Sequence, residues 1–181
     1  MSSSSSVAPT PFRLPLPPGG RIRKIIHLSD LHIRTGDPSQ CRFAEYETVF
    51  ARTIDRVRAL ADDETVVVLT GDLFHNKSKV EAPGIVLFYG FVTGLARLVP
   101  VYIIQGNHDY RQDQHDTPDL IGALLHERTL ENVCYMEGTG RYVAGDVGFG
   151  LVSVRETLVA GDTSGQVADL QIGRASCRER V

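Results

Sequence analysis

Hydrophobic residues in the middle of the chain alternate between short continuous runs and longer stretches with helical spacing. Three runs rich in Val and Ile, at 24–28, 65–69 and 101–104, have the length and composition of buried strands. The stretches between them are long enough for helices, and strands separated by helices pair in parallel within one sheet. The pattern therefore predicts an α/β fold built around a parallel sheet.

Each predicted helix has its own signal. Residues 42–61 carry apolar side chains three and four positions apart, which gives the helix one apolar face. A second helix, 83–98, begins with proline, which suits the first helical position, although its glycines weaken it. A third, 117–125, begins with Thr-Pro. Beyond it, the glycine-punctuated segment 141–154 predicts a β-hairpin.

A short polar cluster follows each of the three apolar runs. The clusters are Asp30-Leu31-His32, Gly71-Asp72 and Gly106-Asn107-His108-Asp109. Because ligands bind α/β sheets at the carboxyl ends of the strands, these residues should converge in one pocket. Carboxylate, imidazole and amide ligands suit Mn, Fe or Zn better than an ion that prefers thiolates.

The clusters predict a two-metal centre. Asp30 and His32 alternate along an extended backbone, so both should face one ion. Asp72 could bridge two ions with one carboxylate, and Asn107 offers a neutral oxygen. His108 follows at once and should point differently, towards a substrate. Two metals roughly 3.5–4 Å apart can bind a phosphoryl group and activate water, while a neighbouring imidazole supplies a proton.

Composition narrows the class of protein but not its chemistry. The 181 residues suffice for one domain, and 42% hydrophobic with 23% charged residues is ordinary for a globular protein. No apolar stretch approaches the roughly 20 residues that span a bilayer. The net charge of −3 gives no overall attraction to nucleic acid, although a local basic groove is compatible with it. With three cysteines and no metal-type pairing, we expect an intracellular soluble protein of the nucleus or cytoplasm, with no membrane partner.

The two ends of the chain differ from the middle. Residues 1–22 contain a serine run and repeated prolines, so we expect a disordered leader with too little apolar surface to fold. Residues 171–181 lack hydrophobic periodicity and match a translation of a common sequencing-library adapter. We expect the folded domain within 23–170 and a non-native tail after it; a natural frayed end is the alternative.

Together, the three clusters resemble the calcineurin-like metallophosphoesterases. The resemblance rests on Asp-x-His, Gly-Asp and Gly-Asn-His-Asp and covers roughly residues 23–125. Within that family, segments 71–75 and 104–109 look most like the double-strand-break repair nucleases, the SbcD-like branch. The resemblance implies a β-sandwich of two mixed sheets flanked by helices, with this chain forming its N-terminal portion.

The same resemblance implies roles for individual residues. Asp30 and His32 would hold the first metal ion, Asp72 would bridge the two ions, and Asn107 would hold the second. His108 would act as the acid in the transition state.

Activity and partners are implied as well. His75 would approach the scissile phosphate of a DNA phosphodiester, which is hydrolysed with two divalent metal ions, by preference Mn. Members of this branch form homodimers through helices beside the active site. They also pair with a coiled-coil ABC ATPase, the SbcC-like partner.

One departure concerns the metal ligands. The family completes its centre with an isolated histidine and a Gly-His-x-His pair downstream of Gly-Asn-His-Asp, and this chain has no such pair. His115 and His126 lie too close to that motif. We therefore expect a truncated chain that carries half of the site. Two other functions stay open: a phosphatase or phosphodiesterase acting on non-nucleic-acid substrates, and a non-catalytic scaffold that binds a partner ATPase.

Overall fold

The computed structural model describes residues 10–35, 42–76, 80–109, 119–125, 130–154 and 169–174, the last of these as backbone alone. The helices are α1 (Phe43–Leu60), α2 (Ala82–Ala96) and α3 (Leu120–Leu125). The strands are β1 (Phe12–Arg13), β2 (Lys24–Leu28), β3 (Thr65–Thr70), β4 (Val101–Ile104), β5 (Val133–Tyr135), β6 (Gly140–Ala144), β7 (Val147–Val152) and β8 (Asp169–Arg174). Within these ranges, no helix combines the length and the apolar character needed to cross a membrane.

One sheet has the order β2-β3-β4-β5, and every neighbouring pair in it is parallel. This confirms the predicted parallel sheet. Its central strands β3 and β4 are buried almost throughout, as continuous Val, Ile and Leu runs require in a sheet covered on both faces. The carboxyl edge of this sheet therefore collects the residues that follow Leu28, Thr70 and Ile104.

The second sheet has the order β1-β6-β7-β8 and is mixed. Strand β1 runs parallel to β6, whereas β6, β7 and β8 are antiparallel neighbours. Strands β6 and β7 form the hairpin predicted for residues 141–154. The expectation of two mixed sheets is correct for this sheet only. The other sheet is wholly parallel, because each of its connections contains a helix that returns the chain to the same edge.

Alternating side chains of β3 divide the core into two clusters. Val67 and Leu69 pack with Phe91 and other residues of the helices. Val68 packs with Phe149 in the space between the two sheets. The layers are therefore helices, parallel sheet and mixed sheet, and the described helices all cover the same face of the parallel sheet.

The predicted helices are present with small shifts at their ends. Helix α1 nearly fills the range 42–61 and buries Phe50 and Val57, although Leu60, which the pattern places on the apolar face, is 47% exposed. Helix α2 begins and ends one or two residues before 83–98. Helix α3 forms the second part of 117–125, and the predicted Thr-Pro start lies outside the described residues.

The predicted disordered leader is wrong for the residues that the structure describes. Residues 1–9 lie outside the described ranges, but 10–22 belong to the fold. Strand β1 pairs with β6, and the Leu14 and Ile22 side chains are buried in the core between the sheets. The prolines do not prevent this, because β1 is a short strand at the sheet's edge, where missing N–H groups do little harm.

Strand β8 crosses the predicted boundary between residues 170 and 171. It pairs with β7 along its whole length, from Val152↔Asp169 to Val147↔Arg174. Backbone pairing needs no particular side chains, so this strand does not test the origin of residues 171–181. The adapter-derived tail stays a prediction.

Candidate metal centre

Three loops meet at the carboxyl edge of the parallel sheet, where they leave β2, β3 and β4. His32 stands at the centre of the cluster, since its Nε2 lies 3.7 Å from Asp30 Oδ1 and 3.9 Å from Asp72 Oδ2. One donor atom from each of these three residues fits within a span of 4.8 Å. The same holds for His32, His75 and His108, so the two groups of donors share one imidazole.

Backbone conformation at this edge differs from the extended alternation predicted for Asp30 and His32. Their φ angles are 58° and 43°, and Asp72 has a φ of 52°. The left-handed region is disfavoured for side chains with a Cβ. The loops hold each other there, because Asp30 N–H donates to Gly71 O (3.2 Å) and His32 N–H donates to Asp72 O (2.9 Å). The side chains meet through these turns rather than through a strand pleat.

Asp72 is also tied to the third loop. Its Oδ1 accepts a hydrogen bond from the backbone N–H of His108 at 2.9 Å. Gly106 lies so close that a Cβ on it would stand 2.2 Å from the same oxygen. Asn107 is half-buried and lies between Gly106 and His108 in the chain, so its backbone lies beside Asp72.

The histidines of the centre are oriented by neighbours. His108 Nδ1 donates to the carbonyl oxygen of His75 at 3.2 Å, which fixes the proton on Nδ1 and leaves Nε2 available. His75 Nε2 is hydrogen-bonded by the guanidinium of Arg34. Burial, followed by the positive charge of Arg34 and the nearby His32 and His108, lowers the pKa of His75 below its ordinary value of 6.5. His75 is therefore a neutral acceptor near pH 7.

These residues fit a divalent cation. Two carboxylates and an imidazole nitrogen converge without a Lys or Arg ion pair to either Asp30 or Asp72 among the described residues. The Nδ1 atom of His32 is buried and lacks a hydrogen-bond partner in the described part of the chain, so the protein atoms described here leave this ring nitrogen unsatisfied. Mixed oxygen and imidazole donors suit Mn, Fe or Zn.

Comparison with known proteins identifies the family of the chain. The model of the calcineurin-like phosphoesterases matches residues 23–171. The chain belongs to this family. Calcineurin-like phosphoesterases are metal-dependent hydrolases of phosphoesters, and the donors described above are of the kind that such a centre needs.

A relative of this chain is an uncharacterized protein, R555, of Acanthamoeba polyphaga mimivirus. It is 31% identical over 138 residues, which is 75% of this chain but 10% of the viral protein. The chain thus spans about a tenth of the length of that relative. The family match supports the superfamily and does not distinguish the nuclease branch.

Sequence reasoning assigned no role to Asp109, the last residue of Gly-Asn-His-Asp. Its side chain is 1% exposed and accepts hydrogen bonds from the backbone N–H groups of Leu73 (3.0 Å), Phe74 (3.1 Å) and Gly106 (2.9 Å). Burial raises the pKa of Asp109 to about 6, against the lowering effect of those N–H groups. Asp109 thus joins the second loop to the third. An acid that follows a Gly-Asn turn was the only available signal.

The spacing of apolar residues places Tyr46 of α1 on the apolar helical face and indicates no other role. Its hydroxyl donates to His32 O at 2.7 Å and accepts from Arg34 N–H at 3.2 Å. It therefore holds the first loop from the helix side, opposite to the bonds made by the second loop. No sequence signal reveals this contact, because it depends on where α1 packs.

Proposed function

We propose that the protein is a metal-dependent nuclease that hydrolyses DNA phosphodiesters, and that this chain holds half of its catalytic centre. The proposal is carried by one observation, the meeting of the candidate metal ligands with His75 and His108 at one sheet edge. The segments 71–75 and 104–109, which form two of the loops at this edge, resemble the DNA-repair branch of the family. DNA is the favoured substrate for that reason.

Asp30, His32, Asp72 and Asn107 would hold two divalent ions, with manganese preferred and iron or zinc as alternatives. When bound, the ions supply positive charge for the phosphoryl oxygens and a water of lowered pKa. Asp72 suits the bridging position, since its two carboxylate oxygens face different loops. One lies 3.9 Å from His32 Nε2, and the other accepts the N–H of His108.

His108 is the residue that would handle a proton. Because Nδ1 is committed to the carbonyl of His75, Nε2 is the nitrogen that faces a substrate. A protonated imidazole in this position can give a proton to the leaving oxygen or stabilise negative charge that develops there. Arg34, hydrogen-bonded to His75, adds a fixed positive charge for the phosphate.

The whole protein is best tested on duplex DNA with labelled ends. We expect cleavage that Mn²⁺ stimulates and a chelator removes. His108→Ala should lower the rate by about 10²-fold or more, while calorimetry shows that Mn²⁺ binding is largely retained. The control is His27→Ala, an exposed strand histidine that pairs with Thr70 instead of joining the cluster. Unchanged turnover in His108→Ala would remove that residue from the mechanism.

Two other functions are separated by the same samples. Hydrolysis of p-nitrophenyl phosphate without cleavage of DNA would indicate a phosphatase of the same superfamily. No turnover of either substrate, together with binding of a partner ATPase, would indicate a non-catalytic scaffold. Absence of a Gly-His-x-His pair from the complete coding sequence would favour the scaffold.

The proposal also covers the oligomeric state and a partner protein. By resemblance to the branch, we infer a homodimer formed by helices beside the centre and a complex with a coiled-coil ABC ATPase, the SbcC-like partner. Light scattering of the full-length protein tests the first inference. Co-purification with an ATPase of that class from the same organism tests the second.

A further inference from the structure

A groove opens from the candidate metal centre towards the first half of α1. Its volume is about 700 Å³, and we call it the α1 groove. Asp30, His32, His75 and His108 line the end that belongs to the centre. The remaining wall comes mainly from α1 and from the chain just after His32.

The groove is larger than the metal chemistry requires. Sites for whole small molecules usually measure about 300–1,000 Å³, and a bare phosphate fills only a small part of such a space. Because the groove is continuous with the metal centre, a phosphoester bound there would direct its organic part along α1.

The α1 wall suits a flat, weakly polar group. Tyr46 and Val49 line the groove, and Val49 is 54% exposed, so an aliphatic surface faces the open space. Behind them, Phe50 is buried and stacks on Phe91 at 4.2 Å between ring centroids, which holds the wall rigidly. A tyrosine ring beside an exposed aliphatic side chain is a surface on which nucleobases stack.

Charged side chains line both the metal end of the groove and the part next to α1. Arg34 stands at the metal end, where it hydrogen-bonds His75 and can meet phosphate oxygens. Arg42 and Glu45 form an exposed ion pair at 2.6 Å near the α1 wall. Exposed pairs of this kind add little stability, so both groups can turn to the polar edge of a base.

We propose that the α1 groove binds the nucleoside attached to the phosphate at the metal centre, with the base against Tyr46 and Val49. The inference rests on the proposed phosphoester hydrolysis and adds to it a binding site for the base next to the phosphate. Sugar phosphates without a base fill the metal end only. The nucleotide can be free or part of a strand, and the shared chemistry is a base next to a phosphoester.

Two NMR signals of the full-length protein separate this inference from the proposed function. With Mg²⁺, saturation transfer to the base protons of thymidine 5′-monophosphate reports contact with the groove. With Mn²⁺, paramagnetic broadening of the ³¹P signal reports a phosphate at the metal centre. Ribose 5-phosphate and inorganic phosphate are the probes without a base. A short thymidine oligonucleotide compares a strand with the free nucleotide.

We expect thymidine 5′-monophosphate to bind about tenfold more tightly than ribose 5-phosphate, as burial of roughly 50 Å² of apolar surface would give. Val49→Asp should remove most of this preference and the saturation transfer, while the ³¹P broadening persists. Val86→Asp is the matched control, because Val86 is 61% exposed on α2 outside the groove.

Each outcome has one meaning. Equal binding of the three phosphates, each with ³¹P broadening, overturns the groove inference and leaves the metal-centre proposal standing. Saturation transfer that Val49→Asp leaves unchanged also overturns it. Base contact without any ³¹P broadening contradicts the proposed function instead. Tighter binding of the oligonucleotide than of the free nucleotide identifies a strand as the source.

Discussion

Asp62 at the amino edge of the parallel sheet has different partners from Asp30 and Asp72, the candidate ligands at the carboxyl edge. At the amino edge, Asp62 accepts hydrogen bonds from Lys24 Nζ (2.6 Å), Thr65 Oγ1 (2.5 Å) and Glu64 N–H (3.1 Å). At the carboxyl edge, Asp30 and Asp72 approach the same imidazole, and neither has a Lys or Arg partner among the described residues.

The two edges of the sheet also differ in backbone conformation. Three of the four non-glycine residues with positive φ in the described ranges lie at the carboxyl edge; the fourth is Asn132, and asparagine tolerates this conformation well. Conformational strain and uncompensated carboxylates both cost stability, and they coincide where a cation can relieve them. The amino edge stabilises the fold, whereas the carboxyl edge gives up stability where the candidate metal ligands lie.

The largest effect is expected where a buried acid holds the carboxyl edge together. Asp109→Asn places an NH2 group among the N–H donors of Leu73, Phe74 and Gly106, so we expect the free energy of unfolding to fall by about 3 kcal/mol. Urea denaturation measures it. Asp55→Asn, which removes an exposed ion pair on α1, should change it by less than about 0.5 kcal/mol. Equal effects would mean that the edge is not held by Asp109.

Close packing of the second and third loops is tested next. In Gly106→Ala, the new Cβ would meet Asp72 Oδ1 at 2.2 Å and the Asp72 backbone nitrogen at 2.4 Å, so the backbone must move. We expect a loss of about 2 kcal/mol in unfolding free energy and weaker Mn²⁺ binding. Gly90→Ala in α2 has nothing within 4 Å and should raise stability by about 0.5–1 kcal/mol. Intact metal affinity in Gly106→Ala would contradict the packing argument.

A smaller effect should follow from removing one hydroxyl. Tyr46→Phe deletes the bonds to His32 O and Arg34 N–H, with an expected loss of about 1 kcal/mol. Mn²⁺ affinity, measured by calorimetry, should fall with it because the first loop is freed.

The control for this variant is Tyr89→Phe, which also deletes a hydroxyl that donates to a backbone carbonyl, that of Leu124 on the helix side of the fold. It should lose similar stability but keep its metal affinity. If the two variants bind Mn²⁺ alike, Tyr46 does not position the centre.

The smallest effect belongs to the amino edge and depends on pH. The hydrogen bond from Lys24, followed by those from Thr65 and Glu64, lowers the pKa of Asp62 from 3.8 to about 2. A lowered pKa stabilises the fold above the unfolded value, and this contribution disappears as the pH falls through about 2. Asp62→Asn should therefore melt earlier than the parent at pH 6, and the gap should narrow as the pH falls towards 2. A gap that stays constant with pH would contradict the assignment; Asp63→Asn is the neighbouring control.

Many of the strands and helices could be predicted from sequence, because they depend on local signals. The apolar runs that became β3 and β4 are continuous, and the helical spacing of α1 extends over its whole length. Strand β1 was missed because its signal, two residues among prolines, gains meaning only when β6 lies beside it.

At the carboxyl edge, sequence indicated which residues meet but not how. The alternation expected for Asp30 and His32 fails, because pairing with the loop after β3 turns both residues into the left-handed region. Tyr46 and Asp109 act through contacts with distant backbone groups, and such contacts appear only once the helix and loops are placed. The metal-ligand roles of Asp30, His32, Asp72 and Asn107 remain predictions, as do the catalytic roles of His75 and His108.

The pairing of β1 with β6 also sets an order of assembly. Phe12 aligns with Tyr142, so a nascent chain leaving the ribosome exposes its first strand long before the partner strand is made. The parallel sheet is complete once β5 has emerged, whereas the second layer needs residues from both ends of the described chain. Contacts between distant parts of a sequence form slowly. The core between the sheets, in which the Leu14 and Ile22 side chains are buried, is therefore complete only after β6 and β7 have been made.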